Sequence, residues 1–138
     1  MIVHKNFNNT AIHGFDIALL KLKESLNMSM STPACLPEKD VNLNLIGRTG
    51  WLVKGWGGSV NEDDGLSKIL LDTTQEVILK RFCRQHWKYD WLIHPDELCA
   101  YNKDKCGGDS GGPLTIEEDG KHVLIGVTAH GEDCSEVN

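Results

Sequence analysis

The chain has 138 residues, of which 14 are Lys or Arg and 20 are Asp or Glu, so its formal charge is −6. This length suffices for one domain with a hydrophobic core. The excess of acidic residues argues against binding to nucleic-acid backbones, because such binding requires clustered cations on the protein. No apolar run reaches the roughly 18 residues of a membrane span, and no signal peptide is visible at the start. We therefore expect neither nucleic acid nor membrane as a partner.

The predicted elements are short and mostly strands, separated by turn residues. Strands are predicted at 17–22, 51–56 and 68–79, an exposed acidic loop at 61–65, a short helix at 80–89, and a hairpin of strands 115–116 and 122–127 with its turn at 117–120. This pattern predicts a mostly β fold, as a barrel or a sandwich, and no linker divides the chain.

The segment Gly107-Gly-Asp-Ser-Gly-Gly-Pro113 is far from random sequence. Four glycines surround one Asp and one Ser, so the backbone must make turns that larger side chains would forbid. A nucleophilic Ser needs this setting, because backbone N–H groups must converge on the substrate carbonyl without obstruction. Ser110 is therefore the candidate nucleophile, and a plain glycine-rich turn is the alternative interpretation.

Gly108-Asp-Ser-Gly-Gly-Pro113 resembles the nucleophile motif of chymotrypsin-fold, trypsin-like serine proteases. The run from Asp16 to Leu22 resembles the family's strand with the triad aspartate, and Gly55-Trp-Gly57 matches a further segment. Ser110 follows Asp16 by 94 residues, against roughly 93 in the protease from which the triad template is drawn. The resemblance implies an all-β, chymotrypsin-like double β-barrel that is incomplete, with part of the first barrel and most of the second.

The resemblance also implies an organisation and an activity for the whole chain. Residues 1–138 form a partial peptidase domain, with 1–34 as a remnant of the first barrel and the start of the connection, and 35–138 as the connection and the second barrel. The implied protein is a secreted, extracellular serine endopeptidase made as a zymogen, without cofactor or metal. Its implied partners are protein or peptide substrates and protease inhibitors.

The catalytic roles follow residue by residue from the same resemblance. Ser110 is the implied nucleophile, and the N–H groups of Gly108 and Ser110 form the implied oxyanion hole. Asp16 is the implied residue that orients the triad histidine. Asp109 resembles the residue that pairs with the new N-terminus after zymogen cleavage.

Three residues are implied to form the specificity pocket, namely Asp104, Gly131 and Asp133. Asp104 lies six residues before Ser110 and corresponds to the pocket base. It implies cleavage after Arg or Lys, because a buried carboxylate needs a counter-charge. A solvated loop carboxylate is the alternative for Asp104, since Lys105 lies beside it. Asp133 stands where the family usually has Gly, so it either narrows the pocket or adds negative charge for a cationic substrate.

No histidine occupies the position of the catalytic base. The base precedes the triad Asp by roughly 45 residues, whereas only 15 residues precede Asp16. Thr10-Ala-Ile-His13 resembles the family's histidine string, but His13 is three residues from Asp16 on the same segment and is more typical of a loop histidine. We therefore expect a fragment that lacks the upstream histidine segment and the extreme C-terminus, and that has no peptidase activity alone.

The five cysteines have neither CxxC nor zinc-ligand spacing, which disfavours a metal site. The resemblance implies two disulfides and one cysteine with an external partner, respectively Cys83–Cys99, Cys106–Cys134 and Cys35. That partner is implied to be an upstream propeptide or light chain. Disulfides, together with Asn-x-Ser/Thr sequons at Asn8 and Asn27, favour secretion.

Two alternatives to an active enzyme stay open. One is a non-catalytic protease homologue that acts as a binding or cofactor module. The intact Ser110 favours the enzyme, whereas departures from the family's pocket pattern favour the homologue; they are Lys105, Ala129, His130 and Asp133. The other is an intracellular β-domain of unrelated function with reduced thiols.

Overall fold

The computed structural model describes residues 1–8, 14–38, 45–47, 49–57, 67–86, 93–101 and 109–130. In these residues the chain forms the elements β1 Ile2–Val3, β2 Ala18–Leu19, β3 Thr49–Gly55, β4 Leu71–Ile78, α1 Lys80–His86, β5 Cys99–Tyr101, β6 Pro113–Glu118 and β7 Lys121–Val127. Two compact units divide the chain, one of Met1–Ala34 with Leu79–Cys99 and one of Cys35–Ile78 with Ala100–Asn138. The predicted acidic loop at 61–65 lies outside the described residues.

The first unit contains a two-stranded ribbon. β1 pairs antiparallel with β2, and Ile2 lies opposite Leu19. Both strands are exposed along their length. β2 is shorter than the strand predicted at 17–22, because its partner β1 has only two residues with which it can pair.

The helix α1 also belongs to the first unit and is tied to the segment that follows it. Cys83 is buried within the helix and forms a disulfide with Cys99, 16 residues later. Ile93 is buried in the same stretch. The ammonium of Lys80, at the start of the helix, donates hydrogen bonds to the carbonyls of residues 94 and 95. The helix and this loop are therefore joined both covalently and by hydrogen bonds.

The second unit is built on a five-stranded sheet in the order β5-β4-β3-β6-β7. β3 pairs antiparallel with β4 and β6, and β6 pairs antiparallel with β7. Successive side chains of β4 point to opposite faces of the sheet, and Gln75 and Val77 are buried on the same face. Val77 packs with Leu114 of β6, and three partly buried residues pack against this pair, namely Leu45, Ala100 and Ile125. Removal of this apolar surface from water stabilises the sheet.

The β6–β7 hairpin has a tighter turn than the sequence predicts. Asp119 and Gly120 have φ values of 50° and 71°, and two successive residues at positive φ form the turn that matches strand twist. Glu117 and Glu118, predicted in the turn, instead continue the ladder with β7. The hairpin is therefore longer than predicted at this end.

Candidate active site

Ser110 lies in a tight turn just before β6. The N–H of Gly112 donates to the carbonyl of Asp109 at 2.9 Å, which closes a four-residue β-turn with Ser110 at its second position. Gly111, at the third position, has a φ of 84°, and a type II turn requires a residue that tolerates positive φ there. The glycine therefore allows a conformation that presents Ser110 to solvent, where it is exposed.

Backbone hydrogen bonds join the Ser110 turn to Thr128, the residue that follows β7. The N–H of Gly111 donates to the carbonyl of Thr128 at 2.8 Å, and the N–H of Thr128 donates to the carbonyl of Gly112 at 2.8 Å. The hairpin ladder begins next to these bonds, where Pro113 lies opposite Val127. The backbone after Ser110 is therefore fixed to the sheet.

Asp109 anchors the other side of this turn to the end of β3. Its carboxylate oxygen Oδ1 accepts a hydrogen bond from the N–H of Gly57 at 2.9 Å. A Cβ atom at Gly55 or at Gly57 would overlap the same carboxylate. The two glycines of the Gly-Trp-Gly segment therefore leave the space that the Asp109 side chain occupies, a role that sequence analysis did not assign to them.

Asp16 lies in the first unit, in a short turn before β2. The N–H of Ile17 donates to the carbonyl of Phe15 at 2.8 Å, which closes a three-residue turn centred on Asp16. The N–H of His4 donates to the carbonyl of Ile17 at 3.1 Å. The side chain of Asp16 is exposed, so its backbone is held while its carboxylate stays accessible.

An aromatic stack supports the backbone just before Asp16. Phe15 has a φ of 63°, which is unusual for a bulky residue. Its ring stacks on His4 with centroids 4.8 Å apart and contacts His94 with centroids 4.8 Å apart. A Cβ at Gly14 would overlap the ring of His94. Packing on both sides of the Phe15 ring thus offsets the strain of its backbone.

The position of His94 is in turn fixed by its own loop. Its N–H donates to Glu97 Oε2 at 2.7 Å, and its ring atom Nδ1 accepts from the N–H of Asp96 at 3.3 Å. Lys80 donates to the carbonyl of His94 at 3.4 Å. The loop closed by the Cys83–Cys99 disulfide therefore supports the residues that precede Asp16.

The predicted site residues fall into three groups in the structure. Ser110 and Asp109 are neighbours in one turn of the second unit, and Asp16 belongs to the first unit. The remaining candidates lie outside the described residues, namely Gly108, Asp104, Gly131, Asp133, Cys106, Cys134 and His13. The predicted disulfide between Cys83 and Cys99 is present.

Cys35 is an exposed free thiol. Its backbone nevertheless bridges β7, because the N–H of Cys35 donates to His122 and its carbonyl accepts from Leu124. Among the residues that the structure describes, no group of three or more His, Cys, Asp or Glu side chains could hold a metal ion. The same residues contain no helix with the length and apolar character needed to cross a bilayer.

Comparison with known proteins identifies the family. The family profile described as Trypsin matches residues 1–138. The chain belongs to the trypsin family. The incomplete, all-β chymotrypsin-like fold predicted from the sequence is thereby confirmed. Membership of the trypsin family excludes the alternative interpretation as an unrelated β-domain. Within the described ranges, the strands of this trypsin-family chain do not close into a barrel.

A relative of this trypsin-family chain is the human protein named Transmembrane protease serine 5. The two are 35% identical over an alignment of 131 positions, and the alignment covers 91% of this chain and 28% of the relative. The chain therefore spans 28% of the length of that curated relative. The name of that relative refers to a membrane.

Proposed function

We propose that this chain supplies the nucleophile and the orienting carboxylate of a trypsin-like serine endopeptidase. Ser110 attacks the scissile carbonyl, and a histidine from an upstream segment takes its proton while Asp16 holds that histidine in position. The observation that carries the proposal is the Ser110 turn, in which Ser110 is exposed and which is fixed by Thr128 on one side and Asp109 on the other. A fixed turn keeps the nucleophile in position without reorganisation during the reaction.

The oxyanion hole is proposed to consist of the N–H groups of Gly108 and Ser110. Negative charge develops on the substrate oxygen in the tetrahedral intermediate, and preorganised N–H donors stabilise it there. Asp109 supports this arrangement through hydrogen bonds to its carboxylate. One of its oxygens accepts from Gly57, and we propose that the other accepts from the ammonium of a new N-terminus formed by zymogen cleavage.

The proposed specificity is cleavage after Arg or Lys. Asp104 supplies a carboxylate at the pocket base, Gly131 lines the wall, and Asp133 lies at the entrance. A guanidinium or ammonium on the substrate pairs with Asp104 when both leave water. The assay is hydrolysis of a series of small esters by the complete protein, with Asp104→Ser as the variant. A preference for Arg and Lys that the variant loses supports the assignment, and an unchanged preference contradicts it.

The 138-residue chain is proposed to be inactive by itself, because no histidine in it has the spacing of a triad base. The second candidate function is a non-catalytic homologue that binds a partner protein. Unusual residues in the substrate strand favour it, since Ala129 and His130 replace the family's usual residues. The two are distinguished by ester hydrolysis in the complete protein, which Ser110→Ala abolishes in an enzyme and leaves at background in a homologue.

The proposed setting is extracellular, in a secreted or anchored protein. The disulfide between Cys83 and Cys99 favours an oxidising compartment. We propose that Cys35, which is exposed and free, pairs with a cysteine of an upstream propeptide or light chain, and that Cys106 pairs with Cys134. Protein substrates and protease inhibitors are the proposed partners. Residues 1–34 are proposed to be a remnant of the first barrel and the start of the connection, and 35–138 the connection and the second barrel.

A further inference from the structure

We propose that Asn27 is an N-glycosylation site of this chain. Asn27-Met-Ser29 is an Asn-x-Ser sequon without proline at its middle position. The proposed peptidase function does not use this segment. The inference rests instead on the conformation of the sequon, on its exposure and on the compartment that the disulfide indicates.

The sequon adopts a turn that Ser29 closes on the Asn27 side chain. Asn27 Oδ1 accepts hydrogen bonds from the Ser29 N–H at 3.0 Å and from the Ser29 hydroxyl at 2.8 Å. The carbonyl of Asn27 accepts from the N–H of Met30 at 3.0 Å. This is an Asx-turn within a β-turn. Asn27 itself is exposed, so the side chain that would carry the sugar is accessible from solvent.

The surroundings leave room for a large substituent. Every residue from 16 to 38 is exposed, so the turn lies within a long accessible stretch of chain. Leu26, Met28 and Met30, beside and within the turn, are 59%, 63% and 84% exposed. A bulky, polar oligosaccharide at Asn27 would shield these apolar side chains and increase solubility.

The turn also suits the chemistry of the transfer. The donor is an oligosaccharide joined to a lipid diphosphate, and Nδ2 of Asn27 attacks its anomeric carbon. A C–N bond forms, the bond from that carbon to the diphosphate oxygen breaks, the Nδ2 proton passes to a carboxylate of the transferase, and the lipid diphosphate leaves. Two hydrogen bonds to Oδ1 withdraw electron density from the amide, so they acidify the proton that must leave. The Cys83–Cys99 disulfide favours an oxidising compartment, which is where such transfer occurs.

The test is expression of the 138-residue chain behind a cleavable secretory leader in mammalian cells. The lumenal, disulfide-bonded chain is digested with peptide N-glycosidase in ¹⁸O water, and its peptides are weighed. We expect ¹⁸O-labelled Asp at position 27 in the wild type, loss of that label and of the glycan mass in Ser29→Ala, and retention of both in Ser29→Thr, which keeps the hydroxyl. Asn27→Gln removes the same glycan, and Asn8→Gln separates any contribution of the other sequon.

An unmodified Asn27 in chain that contains the Cys83–Cys99 disulfide overturns the proposal, whether or not Asn8 is modified. Persistent modification at Asn27 in Ser29→Ala overturns the role assigned to the Ser29 hydroxyl. The measurement is a mass and needs no catalysis, so its failure is separate from a failure of the proposed peptidase function.

Discussion

At the scale of single residues, the sequence predicts Ser110 as the reactive group, and the fold explains how the turn around it is supported. Ser110 could be predicted because a serine among four glycines is a local pattern. The link between Asp109 and Gly57 could not, because the partners are 52 residues apart and only the pairing of β3 with β6 brings them together. The available sequence signal was the pair of glycines on either side of Trp56. Their role can be recognised only when the position of the Asp109 carboxylate is known.

The packing of Asp109 against Gly57 predicts a strong coupling between the two positions. Gly57→Ala adds a methyl group where the Asp109 carboxylate lies, so we expect the free energy of unfolding of the chain to fall by about 1–3 kcal/mol. Urea denaturation measures this change.

The matched control is Gly57→Ala in an Asp109→Ala background, where the overlapping carboxylate is absent. The same substitution should destabilise this background less, giving a coupling of about 0.5–3 kcal/mol. Equal destabilisation in both backgrounds would show that Asp109 is not the group that requires Gly57.

At the scale of secondary structure, the elements of seven or eight residues are predictable, whereas β1 and β5 are not. β3, β4, α1 and β7 each contain seven or eight residues, and each overlaps a predicted element. β1 and β5 contain two and three residues, too few for any periodicity. Their pairing depends on distant segments, which a single-sequence pattern does not encode.

The loop between α1 and β5 is predicted to support Asp16 through His94. His94→Ala removes the ring that packs on Phe15 and Gly14, so we expect the free energy of unfolding to fall by about 1–3 kcal/mol. In the complete protein we also expect a lower kcat with little change in KM, because the orienting carboxylate and not the substrate pocket is disturbed. Ester hydrolysis and thermal unfolding measure the two effects.

His94→Phe keeps a ring at the same position and serves as the control. It should retain most of the stability and most of kcat. A loss as large as that of His94→Ala would mean that the imidazole's own hydrogen bonds, and not its packing on Phe15, carry the effect.

The β1–β2 ribbon is predicted to make the isolated chain associate. Ile2 and Leu19 face each other across the ribbon and are 61% and 66% exposed, and uncovered apolar side chains promote association. We expect the sedimentation coefficient of the wild-type chain to rise with concentration, and the rise to be smaller in a double variant with Ile2→Lys and Leu19→Glu. Circular dichroism checks that the variant stays folded, and an unchanged concentration dependence would exclude the ribbon as the cause.

At the scale of the whole molecule, the chain holds the residues that we propose as the nucleophile and the orienting carboxylate of a catalytic triad. Asp16 lies in one compact unit and Ser110 in the other, and the sequence contains no histidine at the spacing of the base. The family and its overall fold follow from the sequence, because four glycines, an aspartate and a serine form a specific motif. The pocket residues stay predictions, because Asp104, Gly131 and Asp133 lie outside the described residues.

The most direct test of the proposed function is covalent labelling of the complete protein with a fluorophosphonate, followed by mass spectrometry of the peptide that contains Ser110. An activated serine displaces fluoride and retains the phosphonyl group. We predict an adduct on Ser110 whose formation is slower by roughly 10⁴-fold in Asp16→Asn and absent in Ser110→Ala. Absence of an adduct, or an adduct on another residue, would contradict the assignment of Ser110 as the nucleophile.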